Sequence, residues 1–559
     1  MIIFFKFSIF LFLNYLIGKF IFTSIKKKFN FKENLILGIS ESTFYPIISL
    51  IVIGNLTFII NFFMPVKPGY LFLALLIPAI FFIIRVDNRL KLFNFIKQKK
   101  FLKIEILFNL TAIFFLSLST YSISMSHDAG LYHLSNQLWI QNTKINFGLA
   151  ILHKRFGYSS IYDYINSNFW LLDDLVYLHF VNLLFFYFFF RVLIDLVKNL
   201  GNKSLTYGLL IYGILDNFGF NGGKNGFFEI ETIGKYDSPF AIIFIISLFL
   251  IFTLNKSVKK RNDFEIVLIY IFILFSIQLR PSGFLLVPLV IYVIVYKFGK
   301  KELLKILKYP NFIILIISIL WFIKNLIISS CLVFPVNFLC IEKFKWSLYG
   351  LANKEIDEIS DIYNSFDFNE SIFQWFVSWQ KNSFYNFSTL KNFLIAFLIL
   401  LILNILFCNY LLKVEEIYLK IIFSILLITY FIFTAPDTRF LIVVYTTIIY
   451  FLIDNFKIKE FSTLNSNLLF GFLFLLCLFS LPRFENHKNF IANPTGININ
   501  FVIEKYIKEN NYYYKRSSGY GYIPANGNSC WLKMDCSPVY EPDTKILKIY
   551  GYNLFEINN

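Results

Sequence analysis

The stretch SHDAGLYHLSNQLWIQ, residues 126–141, closes an apolar run with an abrupt concentration of reactive side chains. His127, Asp128, Tyr132, His133, Asn136 and Gln137 fall within eleven positions, and four of the five histidines of the chain lie between residues 127 and 179. His153 follows with Lys154 and Arg155 directly behind it, while His179 sits inside the next apolar run and reads as structural. A second group, GKYDSP, sets Lys235 and Asp237 at the threshold of a run beginning at Pro239. Arg280 in QLRPSG and Arg439 in TAPDTRF each stand in a short connection close to a proline. A carboxylate within hydrogen-bond reach of a hydroxyl can take its proton. Arginine grips phosphate with a planar fork and stabilises charge that develops on it. Two carboxylates, several cations and aromatics able to stack on a sugar or face a lipid tail are the inventory for reacting a lipid-linked phosphate with a hydroxyl. Asp128 is the candidate base and Asp237 a second acid or a metal ligand, the two being the holders of a divalent metal should one be used. His127, Tyr132, His133, Asn136, His153, Arg155, Lys235, Arg280 and Arg439 are the candidate substrate-binding residues. Each has a plainer reading beside it: Asp128 as a helix N-cap, the arginines as snorkelling anchors.

The elements that must position these residues are apolar. Of 559 residues 57% are hydrophobic, against about 45–50% in an ordinary soluble domain. Mean hydropathy is +0.63. The excess is gathered into runs such as FAIIFIISLFLIFTL and LIAFLILLILNILF, of a length to cross a hydrocarbon core of ~30 Å as helices. They lack the period-two alternation of a barrel strand, which leaves helices as the spanning element. The expectation is an all-α polytopic membrane protein of about 13–14 transmembrane helices. The formal charge of +17 comes from lysines in short loops between the runs and carries no implication of nucleic acid.

Basic residues favour cytoplasmic loops. Alternate connections sort by that rule: IKKKFNFK, DNRLKLFNFIKQKKFLK, NKSVKKRND and YKFGKKELLKILK fall in one set. The other set holds the polar-rich segments, so that residues 1–481 read as a transmembrane domain with exported loops 125–174, 220–238 and 331–390. Residues 482–559 read as a small exported C-terminal segment. Cys331, Cys340, Cys530 and Cys536 all fall on that side, where disulfides survive. Cys530–Cys536 is the preferred bridge and Cys331–Cys340 a second. Cys408 and Cys477 fall within runs as small core residues. Leu131, Leu134 and Leu138, with Trp139 alongside, have the spacing of an amphipathic helix lying along the membrane interface. Segment 331–390 predicts a helical cover over the same face, with Trp346, Trp375 and Trp379 as interfacial anchors or sugar platforms. The cluster NGGKNG imitates a phosphate loop without its spacing.

At these residues the chain resembles the GT-C superfamily of membrane glycosyltransferases, whose long first exported loop opens with an acidic residue just after a span. More narrowly, DAGLYHL, FGLAILHKRFGYSS, SSCLVFPV, APDTRF and CWLKMDCSP look like a family of uncharacterised bacterial multi-pass membrane proteins, over about residues 125–540. The resemblance implies a polyprenyl-phosphate-linked sugar donor, and an envelope glycan, lipid or protein as acceptor. It implies a place in a bacterial inner membrane with the active face and C-terminus outside, a base role for Asp128 and an acidic partner role for Asp237. The chain departs from the superfamily in having Asp128 alone, flanked by His127, where paired acids are common. Many of those enzymes also carry a large folded C-terminal domain, where residues 482–559 here read as a cap more than a catalytic unit. A polysaccharide polymerase or ligase relying on Arg280 and His133, and a lipid or glycan transporter, are the alternatives.

Overall fold

A helix satisfies its own backbone hydrogen bonds in hydrocarbon, and the apolar runs fold accordingly. The computed structural model describes residues 1–85, 100–171, 174–199, 203–218, 230, 232–256, 263–300, 311–367, 369–382, 384–410, 414–454, 456–458, 463–495, 512–516, 520–525, 529–537 and 544–557. Among the described residues eight helices are long and apolar enough to cross a membrane, or nine if the pair Leu468–Ser480 and Phe484–Ala492, bent by 75°, counts as one span. The chain is a polytopic, mainly helical membrane protein.

The count falls below the thirteen to fourteen that the sequence predicts because several apolar runs make shorter helices. Lys203–Phe218 has 16 residues, and Asp263–Leu279 and Thr438–Asp454 have 17 each. At ~1.5 Å per residue such helices rise only about 25 Å. Cys408, expected inside a span, lies in the short strand Cys408–Tyr410 that pairs with Phe456–Ile458. Cys477 is buried and free, as a core residue should be.

Burial separates inner from outer helices. Val176–Asn199 and Asp237–Lys256 are 89% and 94% enclosed by protein, whereas Asn311–Ser329 and Glu416–Thr434 are 22% enclosed and present their flanks to lipid. The helices Ile2–Lys28 and Glu41–Asn61 pack so closely that a Cβ at Gly18 would fall on the Tyr45 carbonyl. Only glycine permits that approach.

The two ends of the bundle differ in chemistry. At one, lysines close ion pairs between helices: Lys26 with Glu41 at 2.5 Å, and Asp454 with Lys256 at 2.6 Å and Lys420 at 2.8 Å. At the other, the polar-rich connections converge. Ser124–Met125 pairs in parallel with Thr232–Ile233, which lays the start of segment 125–174 beside the approach to Asp237. The C-terminal segment joins the same end, where Phe147 and Asn553 share one backbone hydrogen bond and Phe555 and Phe147 another, both 2.9 Å. Both expected disulfides are closed, Cys331–Cys340 and Cys530–Cys536. NGGKNG lies outside the described residues.

One expectation is corrected here. The helix Leu134–Asn142 does not lie along an interface: Leu134, Ser135, Asn136, Gln137, Trp139, Ile140 and Gln141 are all buried. Its polar face can be buried because neighbours satisfy it. Asn136 and Gln137 both donate to Asp163, and Gln141 donates to the Ser167 carbonyl at 2.9 Å.

Gly18→Val should lower the melting free energy of the purified protein by about 1–3 kcal/mol through overpacking. Gly350, where an added Cβ meets nothing within 4 Å, is the control position, and Gly350→Ala should leave the melt unchanged. Equal melting curves for Gly18→Val and the parent chain would show that the two helices are not in register at Tyr45.

Candidate functional site

The residues with chemistry are positioned by a turn of unusual geometry. Ser126, not Asp128, caps it: the Ser126 hydroxyl and carbonyl accept from the Ala129 N–H at 2.8 and 3.1 Å. One turn of π-helix, Ala129–His133, then leads into the helix Leu134–Asn142. Such turns cost hydrogen-bond regularity and recur at functional sites. Since the Asp128 side chain makes no cap bond, its carboxylate is free for other partners.

Those partners are two arginines remote in sequence. Arg155 donates to Asp128 Oδ1 at 3.4 Å and Arg439 donates to Oδ2 at 3.2 Å. Arg439 also donates to Asp437 Oδ2 at 3.2 Å and to the Tyr363 hydroxyl at 2.8 Å. Burial pushes the Asp128 carboxyl upward, but Arg439, His133 and Arg155 outweigh it and hold the group below its usual range. Asp128 is therefore a carboxylate, a fifth exposed, between two guanidinium groups.

Arg280 pairs with Asp237 and lies over the Phe440 ring at 4.2 Å, with Tyr236 and Phe240 at 5.5 and 5.7 Å. Arg439 approaches the same Phe440 ring at 5.4 Å. One aromatic residue thus borders both cations, and the Asp128–Arg439 and Asp237–Arg280 pairs form one neighbourhood. Among the described residues no group of three or more His, Cys, Asp or Glu side chains is arranged to hold a metal ion. Asp128 and Asp237, the candidate holders of a metal should one be used, each face arginine.

The remaining candidates divide. Tyr132, His133 and Asn136 are buried beside the cluster, the His133 ring tilted against Tyr132 with centroids 4.1 Å apart. His127 is exposed and Lys235 is half-buried next to Tyr236. His153 is buried, and its Nδ1 accepts from the Arg155 N–H at 3.1 Å. Burial, then Arg155 and Lys154, push it down to about 3, so it is a neutral imidazole that shapes the backbone before Arg155.

Several residues that complete the site carry little signal in the sequence. Asp163, 1% exposed, accepts from His133 Nδ1 at 2.9 Å, from Asn136 at 2.9 Å and from Gln137 at 3.5 Å. Burial pushes the His133 imidazole down, but the charge and hydrogen bond of Asp163, with Asp128 and Asp237 behind, hold it above its ordinary value. Glu355, 1% exposed, takes Lys154 at 2.9 Å and the Tyr158 hydroxyl at 3.1 Å, and Arg155 stands 3.9 Å away. Through Glu355 and Tyr363 the helix Tyr349–Tyr363, in the segment expected to cover the site or contact acceptor, lies against both arginines of Asp128. Of the three tryptophans expected as anchors or platforms, Trp375 and Trp379 are enclosed by protein and Trp346 is half-buried. Trp375 and Trp379 are buried and donate to the carbonyls of Asn364 and Pro436 at 2.8 and 2.7 Å, and Trp346 donates to that of Leu326 at 2.9 Å.

The bridged tail reaches the centre of the site. Backbone N–H groups of Cys530 and Trp531 both donate to the Gly130 carbonyl, at 2.7 and 2.9 Å, two residues after Asp128. A Cβ at Gly130 would come within 2.8 Å of the Trp531 ring. The segment expected as a cap is a clamp on the turn that carries Asp128.

A model of a family described as a domain of unknown function, DUF8201, matches residues 1–446, and the chain belongs to that family. No curated protein and no solved structure matches it.

Two outcomes follow from this geometry. Gly130→Val should undock the tail, seen as faster limited proteolysis around residues 529–537; an unchanged cleavage rate would remove the clamp. Asp163→Asn should destabilise the protein in a pH-dependent way. Because folding raises the His133 value, its pairing stabilises fully below the ordinary 6.5 and fades as pH climbs through the raised value. The melting difference between Asp163→Asn and the parent should therefore be larger near about pH 6 than near about pH 9.

Proposed function

We propose that this DUF8201 member is a membrane glycosyltransferase of the GT-C kind. It moves a sugar from a polyprenyl-phosphate-linked donor to a hydroxyl of an envelope glycan, lipid or protein, on the non-cytoplasmic side of a bacterial inner membrane. The observation that carries this reading is Asp128 held between Arg155 and Arg439, with the Arg280–Asp237 pair alongside, at one end of an apolar bundle. Lys26–Glu41 and Lys256–Asp454 close the opposite end, whose connections carry the basic runs favoured on a cytoplasmic face.

In this reading the acceptor oxygen attacks the anomeric carbon and the bond from that carbon to the phosphate oxygen breaks. The bonding pair stays on the phosphate, and the hydroxyl proton passes to the Asp128 carboxylate and then to water. Arg155 and Arg439 keep Asp128 ionised before the reaction. Arg280 and Arg439 receive the charge that develops on the departing phosphate, where preorganised donors act most strongly. Asp237 holds Arg280 in place. The cover helix Tyr349–Tyr363 limits water at the reacting centre.

The reading is tested with membranes or purified protein supplied with a polyprenyl-phosphate-linked sugar. Asp128→Asn should abolish transfer while expression and insertion persist, and Arg439→Lys should cost on the order of 10²–10³ in rate. Full transfer by Asp128→Asn would end the base assignment. The buried His133–Asp163 pair favours one second reading, a polysaccharide ligase or polymerase working through Arg280 and His133. In that case His133→Gln, not Asp128→Asn, is the variant that loses activity.

A further inference from the structure

We infer that His133 is a phosphate-contacting donor positioned by Asp163, beside Arg155, Arg280 and Arg439. The inference rests on the phosphate-lipid reading above and extends it to a residue pair outside the arginine cluster.

The starting point is an ionisable group that needs an account. Asp163 is buried on the short helix Ile161–Ser167 and, among the described residues, no arginine or lysine is hydrogen-bonded to it. Lys324 lies within electrostatic reach, yet its Nζ is turned to the Ser159 carbonyl at 2.6 Å and to the Trp321 ring at 3.3 Å. A buried carboxylate without a cation is costly, and His133 is the partner that can supply one. Its Nδ1 is engaged by Asp163, which fixes the proton on that nitrogen and the orientation of the ring. Tyr132 on one face and the Tyr236 ring edge-on at 5.4 Å stop the imidazole from turning away.

The other nitrogen, Nε2, makes no hydrogen bond among the described residues. The groups around the ring are Asp163 from the helix Ile161–Ser167, Asp128 from its own turn and Asp237 from the start of Asp237–Lys256, with the Tyr132 and Tyr236 hydroxyls. Arg155 and Arg439 act on Asp128, and Arg280 acts on Asp237. Tyr236 borders both the His133 ring at 5.4 Å and Arg280 at 5.5 Å, so when a phosphate draws those arginines toward itself the imidazolium Nε2–H is a further donor in the same neighbourhood. Three carboxylates around one imidazole favour its charged form, and a phosphate would favour it further.

The experiment uses the full chain in lipid nanodiscs, labelled with ¹⁵N-histidine. Five histidines give a resolvable spectrum, and His133→Gln, which keeps a donor for Asp163, assigns the resonances. The His133 titration should lie above that of an ordinary histidine and fall in Asp163→Asn. Adding a polyprenyl monophosphate should move the Nε2 resonance. Its affinity should weaken roughly tenfold as His133 deprotonates, and His133→Gln should flatten that pH dependence. Arginine-dependent binding of the polyprenyl monophosphate with unchanged affinity across the titration and an unmoved His133 resonance would overturn this inference alone. Absence of binding at every pH would overturn the phosphate-lipid reading, and this one with it.

Discussion

Asp128 shared between Arg155 and Arg439 is the contact on which the rest of the arrangement depends. The two arginines come from a loop turn and from the start of the helix Thr438–Asp454, so their meeting at one carboxylate fixes how the first polar loop sits on the late helices. Removing one partner of such a set leaves a poorly solvated charge, which is why each arginine is itself held a second time. Arg439 has Asp437 and Tyr363; Arg155 has Glu355 nearby. Charge is balanced locally, residue by residue, at the edge of an apolar bundle.

Around that contact the chain builds a frame from segments that contribute little chemistry. The two-residue pairing of Ser124–Met125 with Thr232–Ile233 brings Asp128 and Asp237 to the same neighbourhood. The bridged tail grips the Gly130 carbonyl, and the cover helix is pinned through buried Glu355 and through Tyr363 at Arg439. Polar groups in these places are satisfied by specific partners, and this is what allows a short polar helix such as Leu134–Asn142 to be buried instead of lying in an interface.

The site was partly legible before any coordinates. Asp128, Asp237, Arg280 and Arg439 stand out because each is a charge set at the end of an apolar run. Asp163 did not stand out. It sits in IYDYINS among aromatic and small polar residues, with no pattern to separate a buried carboxylate from one that caps a turn. Glu355 hid in NKEIDEIS, which has the look of a solvated helix face. His153 misled in the opposite direction: its neighbours are cationic, and burial makes it neutral.

Composition and the spacing of apolar runs by themselves determined that this chain is a helical membrane protein and which connections share one end of it. Those properties are additive along the chain, since hydrocarbon selects helices wherever enough apolar residues follow one another. Which charge pairs with which was decided only by the tertiary structure. Asp128 and Arg439 are 311 residues apart, and no local pattern records that a guanidinium from one helix will meet a carboxylate from another. The same holds for the imidazole of His133, whose charge state depends on a buried carboxylate that only folding brings to it.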